Sequence, residues 1–139
     1  MKSADSYAFA VLRIVSGLLF LEHGSAKLLG FPHSPAYDHL NVVSLTGASG
    51  LIELIGGGLV AVGFGTRIAA FIMSGEMAFA YFMSHAQRGF FPALNGGDAA
   101  ILYCFLFLYF AAAGAGPLSL DHALRRERVR TPELTGVAD

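Results

Sequence analysis

The chain has 139 residues, of which 55% are hydrophobic and only 14% are charged. A water-soluble domain of this length leaves much of its surface in water, so this composition favours a single domain whose solvent is the lipid bilayer. The net charge of −1 and the lack of a basic groove or zinc spacing exclude an electrostatic nucleic-acid binder, and the single Cys104 excludes an intramolecular disulfide and a cysteine metal cluster.

The first apolar segment runs from residue 7 to residue 29 and has Arg13 inside it. Apolar residues lie on every side of Arg13, which is typical of a helix surrounded by lipid or protein. Arg13 interrupts the apolar core, and Glu22 and His23 stand where a signal peptide would have small residues. We therefore expect a retained span. An ionisable residue inside a span is a functional-site candidate by default.

Three further apolar segments follow, separated by turn-forming residues. In the second we expect Gly50, Glu53 and Gly57 to share a helix-packing face, because small residues let membrane helices approach closely. The loop over residues 31–45 is expected to lie on the membrane surface or over the mouth of the bundle. Spans of this length match a hydrocarbon core of about 30 Å. They are expected at residues 7–29, 46–64, 67–85 and 98–115.

These segments predict an all-α fold: an integral membrane four-helix up-down bundle over residues 1–124, with a basic, flexible cytoplasmic tail over 125–139. Arg67 and the arginines at the start of that tail must lie on one side of such a bundle. By the positive-inside rule that side is the cytoplasm, so both termini are expected there, in a multi-pass protein of the inner membrane. Lys27 and Arg88 count against this orientation.

Polar residues of several spans fall at similar depths in this topology. At 1.5 Å per residue, Arg13 and Glu76 lie roughly 10 and 13 Å from the inner surface, and we expect them to pair. His85 lies about half a turn from Glu76 on a straight helix, so it joins the same cavity only if the third helix ends or bends before it. The expected ligand site comprises Arg13, His23, Lys27, Glu53, Glu76 and His85, with Arg88, Asn95 and Asp98 at its outer rim. No metal site is predicted, and no catalytic residue is assigned.

A purely structural interpretation remains open. Arg13 with Glu76, and Lys27 or His23 with Glu53, would hold the helices in register as buried polar pairs. This interpretation leaves His85 without a role.

Several short motifs occur in a fixed order: Arg13-x3-Gly17, Phe20–Leu28, Gly50–Gly57, Gly65-Thr66-Arg67, and His85 ahead of Gly89-Phe90-Phe91. Their order and spacing resemble the DoxX family of small bacterial and archaeal four-helix membrane proteins. The resemblance extends from Ala8 to Asp121 and maps the family's polar positions onto Arg13, His23, Lys27, Glu53 and His85, whereas Glu76 and the turn 95–98 resemble a subgroup feature. The family takes its name from subunits of archaeal quinone-linked oxidation systems, and some relatives are implicated in thiosulfate oxidation or membrane oxidoreductase complexes.

Three classes of function follow. The first is a membrane subunit of an oxidoreductase or respiratory-type complex, in which His23 or His85 bonds a quinone carbonyl, Glu53 exchanges protons, and Lys27 or Arg13 biases the charge. Redox chemistry by the chain alone is not expected, because it has neither a cysteine pair nor a flavin or nicotinamide fingerprint. The second is a haem-binding subunit with histidine ligands. The third is a non-redox structural, interaction or small-solute or proton transport protein. In each case the expected partners are the lipid bilayer and other membrane subunits.

Overall fold

The computed structural model describes residues 3–130, and the side chains of residues 4–127. Over this range the chain is helical and contains no strand. The helices are α1 Ser3–Leu28, α2 Leu45–Val62, α3 Thr66–Ala80, the short α4 Pro92–Asn95, α5 Asp98–Ala113 and α6 Leu120–Arg130.

The four expected spans correspond to α1, α2, α3 and α5. Two of them, α2 and the Ala4–Leu28 part of α1, are by themselves long and apolar enough to cross a membrane. The apolar α5 is shorter, with 16 residues. The α-helical part of α3 has 15 residues, and a five-residue π-helical turn at Tyr81–His85 extends it. The third helix thus changes from α-helical to π-helical geometry after Ala80. Such a change before His85 was the condition for His85 to share a cavity with Glu76.

Paired glycines set the register between α1 and α2. Gly17 packs against Gly57 and Ala61, and further along α1 Gly24 packs against Gly50 and Leu54, so the two helices run antiparallel. A Cβ atom at Gly17 would lie 2.5 Å from the backbone nitrogen of Ala61. Such backbone contact is available only to small residues. The expected packing face of Gly50, Glu53 and Gly57 is confirmed, since all three are buried.

An aromatic cluster joins α1 to α5 in the core. The Phe20 ring lies edge-on to Tyr103 and Phe107, with centroid distances of 4.8 and 4.5 Å. Phe9 makes the same kind of contact with Phe110 at 5.6 Å. Phe9, early in α1, contacts the end of α5, and Phe20, later in α1, contacts earlier residues of α5, so these two helices are also antiparallel. This cluster fills the space between α1 and α5 with aromatic side chains.

The surface of the helices is apolar where a water-soluble protein would be polar. Large aliphatic and aromatic side chains are exposed on α1, α2, α3 and α5, whereas Arg13, Ser16, Glu53 and Ser74 are buried. This inverted arrangement matches a hydrocarbon surrounding. The exposed side chains include Val11, Leu18, Leu51, Ile55, Ile68, Phe71, Leu102 and Phe105.

The first part of the expected tail is helical. We expected residues 125–139 to form a flexible segment, yet α6 extends to Arg130. Asp121 anchors the start of α6 to the turn between α2 and α3, because its backbone N–H donates to Gly63 O at 2.9 Å and its carboxylate accepts from the N–H of Gly65 and Thr66 at 2.9 and 3.2 Å. These bonds satisfy amides that the start of α3 leaves free. Residues 131–139 lie outside the described range.

Candidate functional site

Side chains from three helices meet in one buried polar cluster, which we call the lysine–carboxylate cluster: Lys27, Ser49, Glu53 and Glu76. The Lys27 ammonium donates to Glu53 Oε1 at 2.7 Å and to Ser49 Oγ at 2.9 Å. The Ser49 hydroxyl donates to Glu76 Oε1 at 2.8 Å and lies 3.3 Å from Glu53 Oε1. Ser49 therefore links the two carboxylates through one hydroxyl group.

Helix spacing and close packing explain why these residues meet. Ser49 and Glu53 are four residues apart on α2, so they project from the same face. Gly50 lies between them, and a Cβ atom there would approach Lys27 Cβ to 3.2 Å. The absence of a side chain at Gly50 lets the Lys27 stem cross α2 and reach both polar partners.

The lysine–carboxylate cluster is short of positive charge and of hydrogen-bond donors. With all three groups ionised, Lys27 contributes one positive charge against the two negative charges of Glu53 and Glu76. Glu53 Oε2 and Glu76 Oε2 are buried and have no hydrogen-bond partner within the described part of the chain. Burying an unpartnered carboxylate oxygen is costly, so a further hydrogen-bond donor would stabilise this arrangement.

A polar cleft of about 300 Å³ adjoins the cluster at Lys27. The end of α1 forms one wall, and the loop between α1 and α2, including His33, Tyr37 and Asp38, forms the other. The His33 ring and the Asp38 carboxylate approach to 3.5 Å on its exposed side. The loop thus packs beside the C-terminal end of α1.

Neither expected histidine belongs to the cluster. His23 is exposed, and its ring packs edge-on to Phe20 with centroids 6.4 Å apart. His85 Nδ1 lies 3.1 Å from Asn95 O, and its ring stacks on Tyr81. After the change of geometry at Ala80, His85 contacts the connection with α5. The structure therefore brings neither histidine to the lysine–carboxylate cluster.

Of the three expected rim residues, Asn95 organises the connection between α3 and α5. Asn95 is buried, donates to Gly89 O at 2.8 Å and accepts from the Gly97 N–H at 2.8 Å. Arg88 and Asp98 are exposed. Asp98 is the first residue of α5, where a carboxylate stabilises the positive end of the helix dipole.

Arg13 does not pair with Glu76. Its guanidinium is fully buried and donates to the carbonyls of Val60, Ala61 and Leu118, the Leu118 bond being 2.8 Å long. Val60 and Ala61 belong to the last turn of α2, and Val60 O also accepts from the Gly63 N–H at 3.2 Å, so Arg13 adds donors at the C-terminal end of that helix and caps it. The expected Arg13–Glu76 pair is therefore wrong, and Arg13 lies outside the candidate site.

The error came from counting depth from the first apolar residue. The position of α1 along α2 is set by the glycine contacts and not by the first apolar residue of α1. These contacts place Arg13 beside the end of α2 and Lys27 beside its start. Along α1 these two residues are separated by about 21 Å. Glu76 lies level with Ser49, about 16 Å along α2 from the carbonyl groups that Arg13 binds.

Comparison with known proteins identifies the family. The DoxX family model matches residues 8–86. The chain belongs to the DoxX family. An uncharacterized protein of Haemophilus influenzae is 45% identical over 130 residues, covering 84% of this chain and 90% of the relative. No solved structure matches.

The DoxX match covers α1 to α3 and thus the whole lysine–carboxylate cluster, but it ends before α5, earlier than the expected limit at Asp121. Family membership and the two long apolar helices make the chain a membrane protein. The sequence interpretation missed Ser49. Ser49 stands four residues before Glu53, and this spacing could have indicated it. A serine by itself does not indicate a site, so the spacing was not recognised.

Proposed function

We propose that this DoxX protein is a multi-pass inner-membrane subunit of a bacterial oxidoreductase or respiratory-type complex that binds a small carbonyl-bearing ligand at the lysine–carboxylate cluster, with a quinone as the candidate. The observation that carries the proposal is the buried link from Lys27 through Ser49 to Glu53 and Glu76 beside a polar cleft. The oxidoreductase context comes from the resemblance to the DoxX family.

The proposed topology is a four-helix up-down bundle with both termini in the cytoplasm. Antiparallel contacts between α1 and α2, between α1 and α5, and between α3 and α5, where Ser74 meets Cys104 and Arg67 meets Ala111, support the alternation. The end of the bundle with Arg13, Arg67 and the arginines of α6 supports the orientation through the positive-inside rule. The lysine–carboxylate cluster then lies in the outer half of the membrane.

The residues present fit a carbonyl-bearing ligand. Lys27 has three N–H donors and uses two of them within the cluster, which leaves one for a ligand in the adjoining cleft. Tyr37 lines the same cleft and offers a phenolic hydroxyl and an aromatic face. A bound quinone would supply the electron-accepting ring.

The two carboxylates give the site a means of holding and moving a proton. A proton on Glu53 or Glu76 would remove the excess negative charge of the cluster and provide an O–H donor there. Because Ser49 contacts both carboxylates, its hydroxyl can donate to one while accepting from the other. Ser49 thus provides a path between them, and Lys27 balances the charge of one carboxylate.

The test is the quinone content of the purified full-length protein. The protein is isolated from native membranes in mild detergent, its lipids are extracted, and quinone is measured per folded molecule. Ser49→Ala and Lys27→Met should reduce the quinone content several-fold. Glu22→Gln, which removes an exposed charge from the same helix as Lys27, is the matched control. A quinone content equal to that of an unrelated membrane protein of similar size would contradict the proposal.

A further inference from the structure

We propose a second binding site at the opposite end of the molecule, where the cleft between α6 and the start of α3 holds the headgroup of an anionic phospholipid. The cleft measures about 830 Å³. The turn between α2 and α3, the segment between α5 and α6, and the first turns of α6 form its walls. The proposal uses the topology given above but is independent of the quinone site.

The walls of this cleft carry two arginines, Arg67 and Arg125. Arg67 donates to the carbonyls of Ala111, Ala112 and Ala113, with distances of 3.1, 2.7 and 3.4 Å, so its guanidinium is fixed at the end of α5. Three of its five N–H groups are used, and two remain for a ligand. A guanidinium held in this way is suited to bidentate contact with a phosphate.

The acidic residue in the wall is already engaged. The carboxylate oxygens of Asp121 accept from the N–H groups of Gly65 and Thr66. Its charge lies at the start of α3, where the helix dipole offsets it. Arg67 and Arg125 therefore remain available for an anion.

An apolar wall distinguishes a lipid from a free phosphate. Phe64, Ile68 and Leu124 also line the cleft, and their exposed fractions are 47, 73 and 45%. Ile72, four residues after Ile68, is 50% exposed, so the apolar strip continues along α3 toward the membrane interior. A phosphate beside such a strip matches a phospholipid, with its headgroup at the arginines and its acyl chain along α3.

The orientation places this cleft at the anionic leaflet. With the arginine-rich end in the cytoplasm, the cleft and its Arg125 lie at the surface where anionic headgroups concentrate. The Asp121 anchor fixes α6 there instead of leaving it free in solution.

Lipid binding to the full-length protein in neutral detergent, measured by native mass spectrometry, tests the proposal. We expect phosphatidylglycerol to bind at least about fivefold more tightly than phosphatidylcholine. Arg125→Gln should weaken the binding of phosphatidylglycerol about fivefold, because it removes one basic contact with the headgroup. Arg126→Gln is the matched control, since Arg126 is the next residue on α6 and does not line the cleft.

Three outcomes would overturn the proposal. Equal affinity for the two lipids would exclude recognition of the anionic headgroup. Equal losses in the Arg125 and Arg126 variants would indicate a diffuse basic surface. Displacement of the lipid by millimolar inorganic phosphate would indicate a free-anion site. None of these results depends on quinone content, so the two proposals can fail separately.

Discussion

Lys27 Nζ lies 2.7 Å from Glu53 Oε1, and the two side chains are only 11 and 5% exposed. This ion pair joins α1 to α2 at the opposite end of the bundle from the Arg13 cap. Because the pair is largely shielded from water, removing either partner should destabilise the protein by leaving the other charge unpaired. The remaining negative charge of Glu76 makes the pair part of a larger, unbalanced group.

The first prediction concerns coupling within this pair. Lys27→Met should lower the melting temperature, because it leaves two buried carboxylates without a cation. Adding Glu53→Gln should recover part of the loss, with a coupling energy of about 0.5–3 kcal/mol. Thermal unfolding in detergent of both single variants and the double variant measures it. Additive losses would show that the ion pair does not contribute to stability.

A second prediction separates Arg13 from Glu76. Arg13→Gln should destabilise the protein by uncapping α2, and Glu76→Gln should act independently because its contacts lie about 16 Å away along α2. The two losses should therefore add to within about 0.5 kcal/mol. Thermal unfolding of the two single variants and the double variant measures this. A coupling energy well above that limit would show that Arg13 and Glu76 contact each other directly, as the sequence suggested.

Glycine contacts between α1 and α2 provide a third prediction. Gly57→Ala should cost about 1–3 kcal/mol, because a Cβ atom would lie 2.5 Å from the backbone nitrogen of Leu21. Gly75→Ala is the matched control, since a Cβ atom there meets nothing within 4 Å. Melting temperatures of the two variants should differ clearly, with the control unchanged or raised. Equal destabilisation would mean that the register differs from the one described.

A fourth prediction tests the anchoring of α6. Asp121→Ala should cost about 1 kcal/mol, because it removes the acceptors for two N–H groups at the start of α3. Asp5→Ala, at an exposed carboxylate in the first turn of α1, is the control. Protease sensitivity of the C-terminal segment should rise only in the Asp121 variant. An unchanged cleavage rate would indicate that α6 is held by other contacts.

The fifth prediction concerns orientation. Reporter fusions after Tyr37 and after the C-terminal residue should report opposite sides of the membrane, with the C-terminal fusion cytoplasmic. Tyr37 follows the first span of the proposed bundle, and α6 follows the fourth. Signals from the same side would contradict the up-down arrangement.

Helix positions and the glycine face were predictable because periodicity and small residues act locally. The Lys27–Glu53 contact was also accessible, since both residues are polar in apolar segments of adjacent helices. The partners of Arg13 were not, because backbone carbonyls at a helix end leave no trace in the side-chain pattern. The position of His85 could not be inferred from the helical period, because the third helix becomes π-helical after Ala80 and the His85 ring contacts Tyr81 and Asn95 O.

The most direct test of the central claim compares quinone content per folded molecule with melting temperature in Ser49→Ala, the smallest change to the lysine–carboxylate cluster. We predict that the variant retains most of its thermal stability and loses most of its quinone, whereas Glu22→Gln keeps both. A Ser49→Ala protein with normal quinone content and a lowered melting temperature would show that the cluster is a structural network and not a ligand site.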